Sequence, residues 1–148
     1  MPLDPSFVGR SYPPTAPYEV GREKIREFAR AIGASDPAYH DVAAARALGH
    51  PDLVAPPTFP ILFTWAAGYH LVEDPELGLD FGRVVHGEQR FSYTRPVCAG
   101  DRLVCVTTVE EIMSRVGNDF VTTRTEMTTE DGEPVVTVSS RLVIRGEA

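Results

Sequence analysis

The stretch "APPTFPILFTWAAGYHLVEDP", residues 55 to 75, constrains this chain more than any other. From Phe59 to Val72 it is apolar nearly all round. A helix without a polar face is buried on every side. Prolines 56, 57 and 60 and His70 interrupt the segment, which does not read as a membrane span. Pro60 must sit in the first turn, where its missing N–H does no harm. The spacing therefore predicts a helix N-capped by Thr58 and closed at Asp74-Pro75. Something else in the chain has to wrap it.

The C-terminal half supplies that layer. "VVHGEQRFSYTRPV" alternates, with Gln89, Phe91 and Tyr93 on one face and Glu88, Arg90 and Ser92 on the other. "RLVCVTTVEEIMSRV" reads as a long strand and "GND" as its turn. "FVTTRTEMTTE" returns with Val121, Thr123, Thr125 and Met127 on one face. "DGE" is a hairpin signal, and "PVVTVSSRLVIRG" aligns Val136, Val138, Leu142 and Ile144. Upstream, the proline-rich residues 1–17 read as an extended arm and "YEV" at 18–20 as a short edge strand. "GREKIREFARAIG" carries the Ile25, Phe28, Ala29, Ile32 stripe of an amphipathic helix, stopped at Gly33. Asp41 can N-cap a short helix, "VAAARAL", which Gly49 ends. The order is that of an α+β fold, an antiparallel sheet wrapped around one long buried helix, in a single domain over residues 1–148. A sheet of this length cannot enclose the helix alone, so a dimer joining two sheets edge to edge is expected.

A net charge of −7 disfavours nucleic acid and anionic membranes as partners. Cys98 and Cys105 have no CxxC spacing and no paired His, so free buried thiols are expected rather than a zinc site. No charged n-region leads into an apolar h-region at the start, so no signal peptide and a cytoplasmic location are expected.

Two segments carry a family resemblance. "FARAIGASDPAYHDVAAARALGHPDLVAPPTF" resembles the hydratase segment of the MaoC-like (R)-specific hydratases and dehydratases, where G-D-x-N-P-hydrophobic-H precedes a short helix and A-H-G-M leads into the central helix. "HGEQRFSYTRPVCAGDRL" is similar to the family's strand pair with its R-P-V-x-x-G-D turn. The nearest subgroup is the small actinobacterial proteins related to the subunits of (3R)-hydroxyacyl-ACP dehydratase. The resemblance implies the hot-dog fold and acyl-CoA or acyl-carrier-protein thioesters as ligands, with acid–base chemistry that needs no metal or other cofactor. In the family, the motif His handles the proton at C2, and the Asp with the His handles the water at C3. A backbone N–H at the start of the central helix polarises the thioester carbonyl.

This chain departs from the pattern at the decisive places. Gly33 and Pro37 match. The Asp position falls on Ala34, the Asn position on Asp36, and the His position on Tyr39. A-H-G-M has become Ala55-Pro56-Pro57-Thr58. Asp36 and His40 could form a substitute catalytic pair if the loop shifts by one residue. Otherwise Asp36 makes an Asx-type turn before Pro37, and His40 points to solvent. Pro57, Thr58 and Phe59 border the expected carbonyl site, and Pro57 has no N–H to give. His86 and Gly87 lie where substrate should pass, or are a strand-end histidine beside a bulge. His70 reads as a core histidine and His50 as a loop residue. Phe59, Phe63, Trp65 and Tyr69 are core or line an acyl tunnel. Arg90, Arg95 and Arg102 meet a carrier phosphate or solvate a face.

In the family's dehydratases built of two unlike subunits, one carries the Asp/His pair and the other, which resembles this chain, holds the long acyl chain. The resemblance therefore implies an (R)-3-hydroxyacyl thioester dehydratase subunit, paired with a MaoC-like catalytic chain. A non-catalytic acyl-thioester-binding homodimer is the alternative. A hot-dog thioesterase comes last, since no carboxylate lies on the central helix before Glu73.

Overall fold

A computed structural model describes residues 2–147. Five antiparallel strands form one sheet in the order β1-β3-β4-β5-β2. They are β1 (Tyr18–Glu19), β2 (Val84–Tyr93), β3 (Arg102–Arg115), β4 (Asn118–Thr129) and β5 (Pro134–Ile144). Three helices precede the long strands: α1 (Arg22–Ala31), α2 (Val42–Ala47) and α3 (Ile61–Glu73). The sheet curls around α3. Phe63 and Ala67 of the helix join Leu103, Met127, Val136 and Val138 of the sheet in one buried cluster. Leu71 joins Val109, Val121 and Ile144 in a second. Strand alternation follows the expected faces, with Val121, Thr123, Thr125 and Met127 all buried.

The helix α3 differs from its expectation in two ways. It begins at Ile61, after turns in which Phe59 N–H donates to Pro56 O and Ile61 N–H to Thr58 O. Prolines at 56 and 57 hold the residues before them extended, so regular helix waits until Pro60 has passed. Nor is it covered on every side. Phe63, Thr64, Ala67 and Leu71 face inward, while Trp65 and Tyr69 are 53% and 50% exposed. One chain covers one face of an all-apolar helix.

The sheet edges differ in the same sense. The arm runs along β3, with Gly9 N–H bonded to Val109 O, Tyr12 N–H to Thr107 O and Thr15 N–H to Cys105 O. With β1 it shields that edge. Strand β2 pairs only with β5, so its outer edge is open among the described residues. An open edge of ten residues is a template for another strand.

The arm is pinned to the end of α3. Arg10 Nη1 and the Tyr12 hydroxyl both donate to Asp74 Oδ2 at 2.8 Å, and Arg10 Nη2 donates to Glu76 at 2.7 Å. Burial opposes the charged form of Asp74. The bonds from Tyr12 and Arg10 outweigh it and hold the carboxyl below its ordinary 3.8. A depressed carboxylate stabilises the fold above its unfolded pKa and loses that contribution as pH falls through the folded value. Asp74→Asn is therefore expected to melt below the wild type at pH 7, with the gap narrowing below about pH 4. A gap that stays constant in thermal melts from pH 7 to pH 2 would sink this assignment.

Hairpin β3–β4 turns at Val116-Gly117, with φ of 51° and 76°, so of the expected "GND" turn only Gly117 takes part. Asn118 and Asp119 already belong to β4. Two positive φ values fit the two-residue turns that match strand twist, and Val116 is a rare β-branched residue to accept one.

Candidate functional site

The loop from Gly33 to Asp41 is held by its own polar groups. Gly33 takes φ 71° and ends α1. Asp36 Oδ1 accepts from Ala38 N at 2.9 Å and caps a short turn over Pro37–Tyr39. His40 Nε2 lies 2.9 Å from Ala34 O. A carbonyl only accepts, so Nε2 must carry the proton. Arg26 Nε donates to His40 O at 2.9 Å, and Asp41 caps α2 at Ala43 N. His40 is thus tied back across the loop rather than turned to solvent. Asp36 forms the Asx-type turn. No hydrogen bond joins Asp36 to His40 among the described residues.

Beside this loop lies a recess of about 640 Å³, open to solvent. Asp36 and Tyr39 line it, together with His50, Pro57 and Tyr93; His40 and Ala34 do not. Tyr93 OH donates to Pro57 O at 2.6 Å and ties β2 to the start of α3. Burial, with Tyr39 nearby, pushes the Tyr93 phenol well above its ordinary range. Its proton therefore stays in place to hold Pro57. Sequence reasoning missed His50 and Tyr93 as members of this group. Tyr93 shares a strand face with Gln89, which was the available signal. Nothing local marked His50.

At the start of α3 the donors are few. Pro56, Pro57 and Pro60 have no N–H. Phe59 N–H is bonded to Pro56 O at 2.9 Å, and its side chain is fully buried in the core. Thr58 is exposed, and its N–H has no internal partner among the described residues. Of the three residues expected to border a carbonyl site, Thr58 is the one with an amide to offer. Phe59 contributes packing.

A second opening runs between α3 and the sheet, a cleft holding about 610 Å³ of space, part of it solvent-open. Thr64, Trp65, Gly68 and Tyr69 line it from the helix. His86, Gln89, Thr123 and Ser140 line it from the sheet. Strict alternation would send His86 and Gln89 to opposite faces. A bulge between His86 and Glu88 adds one residue and brings both to the cleft. Gly87 permits it, since a Cβ there would lie 3.2 Å from Arg141 O and Val143 Cγ2. His70, read as a core residue, is exposed and stacks parallel to Tyr12 at 6.4 Å.

The arginines expected either to meet a carrier phosphate or to solvate a face are paired within the chain. Arg95 binds Asp101 at 2.9 and 3.1 Å and Glu133 at 2.7 Å. Asp101 Oδ2 also accepts from Cys98 N, so the R-P-V-x-x-G-D segment is a braced turn. Arg102 binds Glu130 and Arg90 binds Glu88. Cys98 and Cys105 are free and buried, and burial pushes the Cys105 thiol up to about 11. Among the described residues no three His, Cys, Asp or Glu side chains gather as a metal site, and no helix is long and apolar enough to cross a membrane.

The sequence matches the family described as FAS1-like, dehydratase domain region, over residues 6–138. A UPF0336 protein of Streptomyces coelicolor is 61% identical over 145 residues, covering 98% of this chain and 97% of that one. Among solved structures, the truncated HadBC (3R-hydroxyacyl-ACP dehydratase) complex of Mycobacterium tuberculosis superposes with TM-score 0.82 at 35% identity, over 93% of this chain and 96% of that chain. A MaoC-like dehydratase superposes with TM-score 0.88, also at 35% identity, over 95% of this chain and 43% of its own, longer chain. These likenesses establish the hot-dog fold and the MaoC-like dehydratase resemblance read from the sequence.

Proposed function

This chain belongs to the family of FAS1-like dehydratase domain regions, and from that premise we propose that it is the acyl-holding subunit of an (R)-3-hydroxyacyl thioester dehydratase. One observation carries the reading. The loop that holds the Asp/His pair in the MaoC-like pattern has Ala34 and Tyr39 in those places, and its remaining acid and imidazole are bonded into the loop itself. General acid–base catalysis needs a group within hydrogen-bond reach of the proton it moves and free to move it. Asp36 and His40 are both engaged in holding the turn.

The exposed face of α3 and the open edge of β2 support a partner chain. A MaoC-like partner with an intact motif supplies the His for the C2 proton and the Asp for the water at C3. This chain supplies the cleft, with His86 and the Gly87 bulge on its sheet side. Pro57, held by Tyr93, lines the recess where the thioester approaches, and Thr58, next in the chain, has a free N–H to offer. A HadBC-like pairing of unlike chains is the assembly most consistent with the superposition. The test is hydration of crotonyl-CoA and of a longer trans-2-enoyl-CoA by this chain alone and mixed with such a partner. Activity is expected in the mixture only.

A further inference from the structure

One hydrogen bond crosses the cleft between α3 and the sheet. Gln89 Nε2, on β2, donates to Thr64 Oγ1, on α3, at 3.1 Å. The same amide reaches Ser140 Oγ, on β5, at 3.4 Å. Thr64 is fixed in turn, since its hydroxyl donates to Ile61 O at 3.1 Å and the residue is only 7% exposed. The bar therefore joins helix to sheet at a defined depth. Much of the remaining wall is hydrocarbon, from Trp65 and Tyr69 on one side to Leu142 on the other.

An alkyl chain sliding between helix and sheet meets this bar across its path. To pass, it must break the Gln89–Thr64 bond. Thr64 keeps Ile61 O and the Gln89 amide keeps its longer contact to Ser140 Oγ, but the bond between them is lost against hydrocarbon with no water to replace it, which is costly. Each methylene laid down beyond the bar gains about fourfold in affinity. Several must pass before the chain recovers what the first one loses. We propose that the Gln89–Thr64 bridge is a chain-length stop that restricts the cleft to short acyl groups. This rests on the acyl-holding role proposed above and names the substrate class of that role.

Gln89 faces the cleft by the same alternation as Phe91, the bulge at Gly87 turns His86 to that face as well, and Thr64 is the hydroxyl on the otherwise apolar inner face of α3. An aliphatic pair in the same places would pack the helix on the sheet without a buried polar group.

The test is the binding of butanoyl-, octanoyl-, dodecanoyl- and hexadecanoyl-CoA to the full chain. It is read by fluorescence of Trp65, the chain's one tryptophan, which lines the cleft. The wild type is expected to gain affinity over the shorter acyl groups and then level off. In Gln89→Ala, hexadecanoyl-CoA is expected to bind at least tenfold more tightly than to the wild type, with butanoyl-CoA unchanged. Thr64→Val removes the same bond from the helix side with little change in shape. It should give the same profile, which separates loss of the bar from local damage at either residue. Affinity that climbs with length in the wild type as steeply as in the variants overturns the stop and leaves the acyl-holding role standing. Failure of every acyl-CoA to bind wild type and variants alike overturns both.

Discussion

Phe59→Ala is expected to cost about 3–5 kcal/mol of folding stability, measured by denaturant unfolding. Phe59 is fully buried at the start of α3. It packs edge-on against Phe28 of α1 at 5.4 Å and Phe63 of α3 at 5.3 Å. The ring therefore ties the amphipathic helix to the central one, and through Phe63 to the sheet. Truncation loses the transfer energy of the ring and leaves a cavity that three prolines nearby prevent from collapsing. The residue sits where a substrate contact was expected, so the measurement also separates two roles. A variant as stable as the wild type, but weaker in acyl-thioester binding, would make Phe59 a ligand contact and not a core residue.

Trp65→Glu is expected to weaken self-association or partner association by at least about thirtyfold, as truncating a central aromatic anchor does. Trp65 meets Phe81 edge-on at 6.4 Å, and with Tyr69 and Val85 these side chains are 44–53% exposed. They lie beside the open edge of β2. An apolar patch next to an unpaired strand has the two elements that a strand-to-strand dimer uses, main-chain bonds for register and aromatic contacts for affinity. A carboxylate placed there must be desolvated on association. Sedimentation velocity on wild type and variant decides the matter, and an unchanged distribution would place the partner elsewhere.

The core was legible in the sequence because burial imposes a period. The alternation of Val121, Thr123, Thr125 and Met127 marked the inner face of β4, and the stripe on residues 21–33 marked α1. The local loop was legible for the same kind of reason, since Asp36 before Pro37 and Asp41 before a short helix are capping chemistry written in consecutive residues. What the sequence hid depends on residues far apart in the chain. The pairings of Arg95 with Glu133 and of Arg102 with Glu130 span a hairpin. A bulge at Gly87 is legible from the glycine itself, but the face on which it leaves His86 follows only from the pairing with β5. The apolar outer face of α3 reads from the sequence as needing cover, and this chain by itself leaves Trp65 and Tyr69 exposed there. His50 joins Tyr39 and Tyr93 only through the fold.

The division of labour between two chains is tested most directly in the mixed enzyme. Trans-2-enoyl-CoA hydration is measured for this chain alone, for its mixture with a MaoC-like partner carrying the intact motif, and for mixtures in which either chain is altered. This chain alone is expected to show no activity. In the mixture, Asp36→Asn and His40→Gln in this chain leave the rate within a few fold, whereas loss of the partner's motif Asp or His abolishes it. Hydration by this chain alone that disappears in Asp36→Asn or His40→Gln would contradict the account and make the loop itself the catalyst.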